Sequence, residues 1–233
     1  MHIEGQRGAA PDPLDRLATG QTVSREAGWF QGAIPVDDDG RSARRSRNRA
    51  AVLDAFLDLL EDGVDWPTAD EIAARSGVSA RSIFRFFADL NELQDAGIAR
   101  QFERVAHLLL IPIDPAASLL HERAAALSRQ RRNLWEAVTP SRRFVARGPL
   151  SSRLAISVRQ SDLVMREQVR WLFRPELDSV ADLTRRRWVM DCLDVAASWL
   201  AWDYRRATLG RSATDAQFGL EHDVLAALAA VVQ

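Results

Sequence analysis

Apolar positions along this chain recur at helical spacing almost throughout. Val52, Phe56, Leu59 and Leu60 fall at i, i+4, i+7 and i+8, which is one face of a helix starting near Ser42. Gly63 suits its stop, and Asp65-Trp66-Pro67 reads as a connector. Ile98, Phe102, Val105 and Leu109 form the stripe of a helix that starts at Asp89 or Asn91 and ends before Pro112 and Pro115. Leu120, Ala124, Leu127 and Leu134 mark another helix, which Pro140 is expected to break, leaving a short turn over 141–146. After Gly148-Pro149, Ser151 or Ser152 caps a helix with Val158, Met165, Val169 and Leu172 on one face, stopped by Pro175. The longest helix is expected from Ser179 to about Leu209, with Val189, Leu193, Ala196, Leu200 and Tyr204 in one stripe and Gly210 as its terminator. Ser212 and Asp215 open a last helix on which Phe218, Leu225, Leu228 and Val232 line up. No run alternates with the period of a strand, and no repeat has a fixed period. The expected fold is all-α, with about nine helices.

The stretch from Thr68 to Leu93 organises the rest. Thr68 with Glu71 three residues on forms a capping box, so a short helix begins there with Ile72 and Ala73 facing inwards. Gly77 ends it and supplies the turn, because only glycine enters the left-handed region without penalty. Val78 packs under the turn and Ser79 caps a second short helix. Ile83, Phe84 and Phe87 can form its buried face; Ala80, Arg81, Ser82 and Arg85 its exposed one.

Composition narrows the picture only in places. Residues 1–40 are rich in Gly, Pro, Asp and Gln and read as a mobile extension, with Trp29 and Phe30 able to dock locally. Net charge is -1, so bulk charge points to no partner, but all 31 basic residues are Arg. Arginines 44, 45, 47 and 49 precede the Thr68–Leu93 stretch in a segment without an acid, a pattern suited to phosphate contact. Cys192 is the only cysteine, which fits a reducing compartment. No apolar run reaches the roughly 18 residues of a membrane span, so a soluble cytoplasmic protein without membrane association is expected.

Gly63, Thr68, Ile72-Ala73, Gly77-Val78-Ser79 and the aromatic-x-x-Phe from Phe84 to Phe87 occur in a definite order. In this combination the stretch from about Arg47 to Leu93 resembles the DNA-binding domain of the TetR-type transcriptional regulators. The C-terminal part resembles that family by helix number and by Trp199-x-x-Trp202-Asp203 followed by Gly210 and a capped last helix. Two positions depart from the family's pattern. Phe84 stands where a Tyr hydroxyl commonly meets phosphate, and Leu90 stands where a Lys often touches the backbone.

The resemblance implies three parts: the extension over 1–40, a helix-turn-helix DNA-binding domain over 41–90, and a ligand-binding and dimerisation domain over 91–233. A helix of this kind enters the major groove and meets base edges near its N-terminus. Arg81 and Arg85 are candidates for base or phosphate contact, and Ser79 and Ser82 for phosphate. Phe84 and Phe86 suit sugars or a thymine methyl, or the core. Thr68 and Ala80 complete the proposed interface, with Arg44, Arg45, Arg47 and Arg49 on phosphates or in the minor groove. The resemblance also implies a small-molecule effector held between helices, with Trp135, Phe144, Met165, Trp171, Trp188 and Trp199 as candidate lining; core and dimer contact is their other reading. It further implies a homodimer through the last two helices and a palindromic operator.

Enzyme chemistry finds little footing. His2, His107, His121 and His222 are scattered without metal-ligand spacing, and there is no GxSxG, Walker loop or GxGxxG, so neither catalysis nor a cofactor is expected. The sequence therefore points to a DNA-binding transcriptional regulator, a repressor released by its effector. The alternative is a helical ligand- or partner-binding module with weakened DNA affinity, suggested by Phe84 and Leu90.

Overall fold

A computed structural model describes residues 40–148 and 151–229. The expected extension, with Trp29 and Phe30, lies outside them, as does Val232. The described residues form ten α-helices and no strand: α1 Gly40–Glu61, α2 Ala69–Ser76, α3 Ala80–Phe86, α4 Leu90–Val105, α5 Leu120–Arg147, α6 Ser152–Leu172, α7 Arg174–Ser179, α8 Leu183–Ala197, α9 Trp199–Asp203 and α10 Ala213–Ala229. A 3-10 turn, Ala106–Leu109, follows α4, and a π turn, Tyr204–Thr208, follows α9. The protein is all-α. Among the described residues no helix is long and apolar enough to cross a membrane.

Two cores share this framework. The N-terminal one gathers Val52, Phe56 and Leu60 of α1, Ile72 of α2, Ile83 of α3, and Leu93 and Ile98 of α4. The second is built by α5, α6, α8, α9 and α10 around Leu127, Leu134, Val169, Leu193, Trp202 and Leu220. Helix α4 enters both, contributing Leu93 to the first and Val105 to the second. Helix α5 also crosses over: Phe144 and Val145 near its C-terminus, with Leu154 of α6, belong to the N-terminal core. Phe144 sets its ring edge-on to Phe56 at 5.4 Å, and Trp66 leans on it at 5.2 Å. Arg147 pairs with Asp65 beside them.

Pro140 does not break its helix; it sits inside α5, which at 28 residues is the longest element. Amphipathic sequence on both sides carries the helix through, and the carbonyls on either side of the one that Pro140 deprives gain side-chain donors. Thr139 Oγ1 donates to the Trp135 carbonyl at 2.6 Å, and Gln101 of α4 donates Nε2–H to the Ala137 carbonyl at 2.9 Å. Conversely, the expected helix from Ser179 to Leu209 is divided. Ser198 leaves helical geometry (φ -71, ψ 157) and accepts from the Ala201 N–H, so a new helix starts there with neither Gly nor Pro to announce it. Pro175 likewise opens α7 rather than only stopping α6, since its fixed φ suits a first turn.

These shifts turn several side chains away from their expected faces. Leu200 and Tyr204 leave the expected buried stripe and lie on the surface. On α10 the buried positions are Ala216, Leu220, Val224 and Leu228, spaced by four, while Phe218 points outwards.

Candidate functional site

The local chemistry of α2 and α3 fixes their relation. Thr68 Oγ1 accepts the Glu71 N–H at 3.3 Å and Glu71 Oε2 accepts the Thr68 N–H at 2.8 Å. The Thr68 hydroxyl also donates to Glu71 Oε2 at 2.7 Å, and the bonds from the Thr68 N–H and hydroxyl hold the Glu71 carboxyl below its ordinary value. Gly77 takes φ 69 and donates to the Ala73 carbonyl, closing α2. Ser79 then starts α3 two residues later by accepting the Ser82 N–H at 3.3 Å, and the two hydroxyls bond each other at 3.0 Å. With both ends set, Ile72, Val78, Ile83 and Phe87 are buried in the N-terminal core. Asp89 caps α4 in turn, accepting the Glu92 N–H at 2.8 Å.

The outward face of α3 carries Arg81, Phe84 and Arg85. Phe84 is 50% exposed, which corrects its assignment to the buried face. Positions 83, 86 and 87 share one side of a helix by the i, i+3, i+4 rule, so Phe86 packs against the core, whereas Phe84 lies about 100° round from Ile83. Ala80 and Ser82 are half-buried at the start of the helix, and Thr68 and Ser79 are exposed with their oxygens engaged in caps.

On α1, Arg44, Arg45 and Arg47 are exposed, while Arg49 lies with its guanidinium 4.9 Å from the centre of the Phe87 ring. Arg45, one turn before Arg49, shares that side of α1, so it faces the same end of the molecule as α3. Among the described residues none of Arg44, Arg45, Arg47, Arg49, Arg81 or Arg85 enters an ion pair. Arg75, Arg100 and Arg104 nearby all do. The surface shared by α1 and α3 is thus a set of uncompensated guanidiniums around an exposed phenyl ring.

Helix α4 joins this surface to the rest. Gly97 lets it approach α1 closely: a Cβ there would lie 2.7 Å from Phe56 Cε1 and nearer still to Cδ1. Arg100 bonds Asp54 at 3.1 Å, and Arg104 reaches Asp58 and Glu61, both at 3.4 Å. These pairs are partly exposed and contribute about 0–1 kcal/mol each.

The residues expected to line an effector pocket lie in different surroundings. Trp135, Met165 and Trp199 are buried in the second core, and Trp171 is half-buried against it. Phe144 belongs to the N-terminal core, and Trp188 is 61% exposed. The Trp135 indole N–H is taken by the Ala197 carbonyl and that of Trp199 by Thr139 Oγ1, both at 3.1 Å.

Two polar features of the body had no local signal in the sequence. Arg131 is fully buried without a carboxylate partner. It donates to Gln130 Oε1, to Gln168 Oε1 at 2.6 Å and to the Met165 carbonyl at 3.1 Å. Burial pushes its guanidinium down to about 9. The other feature is a cleft of about 530 Å3 between the end of α1, the second half of α4 and the middle of α5, lined by Glu61, Gln101, Arg104, Val105, Glu136 and Pro140 among others. Gln101 is buried, and its Oε1 has no hydrogen-bond partner; such an acceptor costs about 1–3 kcal/mol. Burial alone would raise the Glu136 carboxyl, but hydrogen bonds from Arg206 and Trp202, with the charges of Arg206 and Arg132, hold it below its ordinary value. Pro140 could have drawn attention to this place; Gln101 could not, because its partners are distant in sequence.

The last three helices leave apolar side chains in solvent: Leu183, Trp188 and Val195 on α8, Leu200 on α9 and Phe218 on α10, each 61–72% exposed. Trp188, Cys192 and Val195 follow one another at i, i+4 and i+7, a single stripe that the second core does not cover. No protein-family model matches the chain, and no curated protein matches it.

Proposed function

We propose that this chain is a sequence-specific DNA-binding transcriptional regulator of the TetR type, acting in the cytoplasm as a homodimer. The observation that carries the reading is the capped pair α2 and α3, whose second helix buries Ile83 and Phe87 while presenting Arg81 and Arg85 beside the unpaired arginines of α1. A positive surface of this kind suits a phosphate backbone, and a recognition helix in the major groove would bring the N-terminal residues of α3 to the base edges. In this reading Ser79, Arg81 and Arg85 would meet bases or phosphates. The uncovered apolar stripe on α8, with Phe218 of α10, supports isologous pairing, which would set two recognition helices about 34 Å apart on a palindromic operator.

In this reading the protein is a repressor. A small-molecule effector releases it by binding more tightly to a conformation whose recognition helices no longer fit the operator. Helix α4, held to α1 at Gly97 and reaching the second core at Val105, is the connecting lever. The test is a gel-shift titration of the full chain against the intergenic DNA beside its own gene, at low salt, with Arg81→Ala/Arg85→Ala as comparison. Sequence-selective retardation that the double variant loses supports the reading; no retardation anywhere in the region sinks it. One observation favours a partner-binding module instead. The half-exposed ring of Phe84 offers a protein surface an apolar anchor and offers phosphate nothing. Loss of DNA retardation together with retained dimerisation would turn attention to that alternative.

A further inference from the structure

The cleft beside Pro140 has the size of a small-molecule site, and acceptors dominate its unused bonding capacity. Gln101 Oε1 is an acceptor without a donor. Turning the amide over does not help, because Nε2 already donates to the Ala137 carbonyl and the flipped oxygen would face another oxygen. One residue away, the Glu136 carbonyl has lost its helical donor, since Pro140 carries no N–H. The carboxylates of Glu61 and Glu136 add acceptor capacity: each has about four lone-pair sites, and only some are used by Arg104 and by Arg206 and Trp202. The donors in the lining are Arg104, already shared between Asp58 and Glu61, and the exposed His107, whose neutral ring offers one acceptor beside its one donor. Val105 and Leu108 supply an apolar part.

An acceptor-rich cleft with an apolar wall complements a group that only donates. We propose that this cleft binds a small organic ammonium ligand, its N–H groups meeting Gln101 Oε1 and the Glu136 carbonyl and its hydrocarbon part lying against Val105 and Leu108. An alkylammonium has three donors and no acceptor, so it fits this surplus where a carboxylate would not. The cleft is separate from the aromatic residues considered above for an effector, and the proposal does not rest on DNA binding. Its position does give it a consequence if the DNA-binding reading holds, because the ligand would touch α1, α4 and α5 together.

The experiment is calorimetric titration of the full chain, without DNA, with phenethylamine, and with 2-phenylethanol and 3-phenylpropanoate as neutral and anionic matches. Saturable binding of the amine is expected, with the alcohol and the carboxylate weaker by about tenfold or more. Pro140→Ala restores a donor to the Glu136 carbonyl in a helix it should not disrupt, and Gln101→Leu removes the orphan acceptor. Each should weaken the amine by about tenfold. Gln101→Leu leaves the Ala137 carbonyl without its partner and could unfold the chain; Pro140→Ala keeps the test valid in that event. No saturable binding of phenethylamine, equal binding of the three compounds, or unchanged affinity in Pro140→Ala overturns the proposal. Amine binding by a chain that fails to retard DNA would support this site and count against the regulator reading alone.

Discussion

Replacing Gly97 by alanine should destabilise this protein even though alanine is the better helix former. Inside α4 the exchange gains about 0.8–1.0 kcal/mol of helix propensity. The added Cβ, however, would lie 2.7 Å from Phe56 Cε1, far inside the roughly 3.5–4.0 Å at which carbon atoms attract one another. Phe56 is fully buried, and Phe144 stands edge-on against it, so the ring has no space to retreat into. Either α4 moves away from α1 or the Phe56–Phe144 contact opens, and such overpacking typically costs about 1–3 kcal/mol. At 2.7 Å from a ring that cannot retreat, the clash should exceed the propensity gain, leaving a net loss of up to about 2 kcal/mol once the two terms are set against each other. In a chain of this size, each kcal/mol lowers the thermal midpoint by about 2–4 °C. Circular dichroism melts of wild type, Gly97→Ala, Phe56→Leu and the double variant would measure it. The smaller side chain at 56 should relieve the alanine, giving a coupling of about 1 kcal/mol between the two positions. A melt raised by the bare propensity gain, with no coupling to position 56, would refute the close approach of α4 to α1.

Arg45→Ala/Arg47→Ala should weaken binding to all DNA sequences alike and flatten the dependence of log K on log salt by about one to two phosphate equivalents; an unchanged slope in a fluorescence-anisotropy titration removes these residues from the interface. Trp188→Glu with Phe218→Glu should convert the proposed dimer to a monomer in sedimentation velocity while leaving the melt of the N-terminal core in place, since both side chains are exposed on the single chain. Thr68→Ala removes the α2 cap at a cost of about 0.5–2 kcal/mol, read in urea unfolding. Because the Glu71 carboxyl is held below its ordinary 4.5, its part of that box is fully present above this pH and disappears as the pH falls through the lower folded value. The gap between wild type and Thr68→Ala should thus narrow in acid, down to the share of the Glu71 N–H bond to Thr68 Oγ1; a constant gap across that range would contradict the reciprocal cap.

The parts of the fold that the amino-acid order reveals are those decided within one helical turn. Thr68 with Glu71, Gly77, Ser79 and Asp89 each fix an end by bonds to residues two to four positions away, and all four are found doing so. Where a nearby signal competes with distant packing, the nearby signal misleads. Pro140 carries a helix-breaking chemistry that Gln101 and Thr139 accommodate, and Gln101 approaches from another helix. Ser198 breaks a helix whose apolar stripe runs on unbroken in the sequence. The neighbouring aromatics 84, 86 and 87 could be sorted only by knowing which side of α3 meets α1. The arginine face of α1 and α3 was legible residue by residue. The buried Arg131 and the acceptor-rich cleft were not, since each is assembled from segments tens of residues apart.

Helix α5 carries one further implication, for anyone who would treat this chain as interchangeable modules. At about 1.5 Å per residue its 28 residues make a rod of about 42 Å, rooted in one core and ending in the other. A chimera cut at residue 90 or 98 would take the Phe56 ring away from Phe144 and leave Trp66 and Asp65 facing nothing. The exchangeable cassette is discontinuous: a graft of the N-terminal helices must bring along the tip of α5 and the first turn of α6, from Phe144 to Leu154, or replace that tip with an equally shaped aromatic plug.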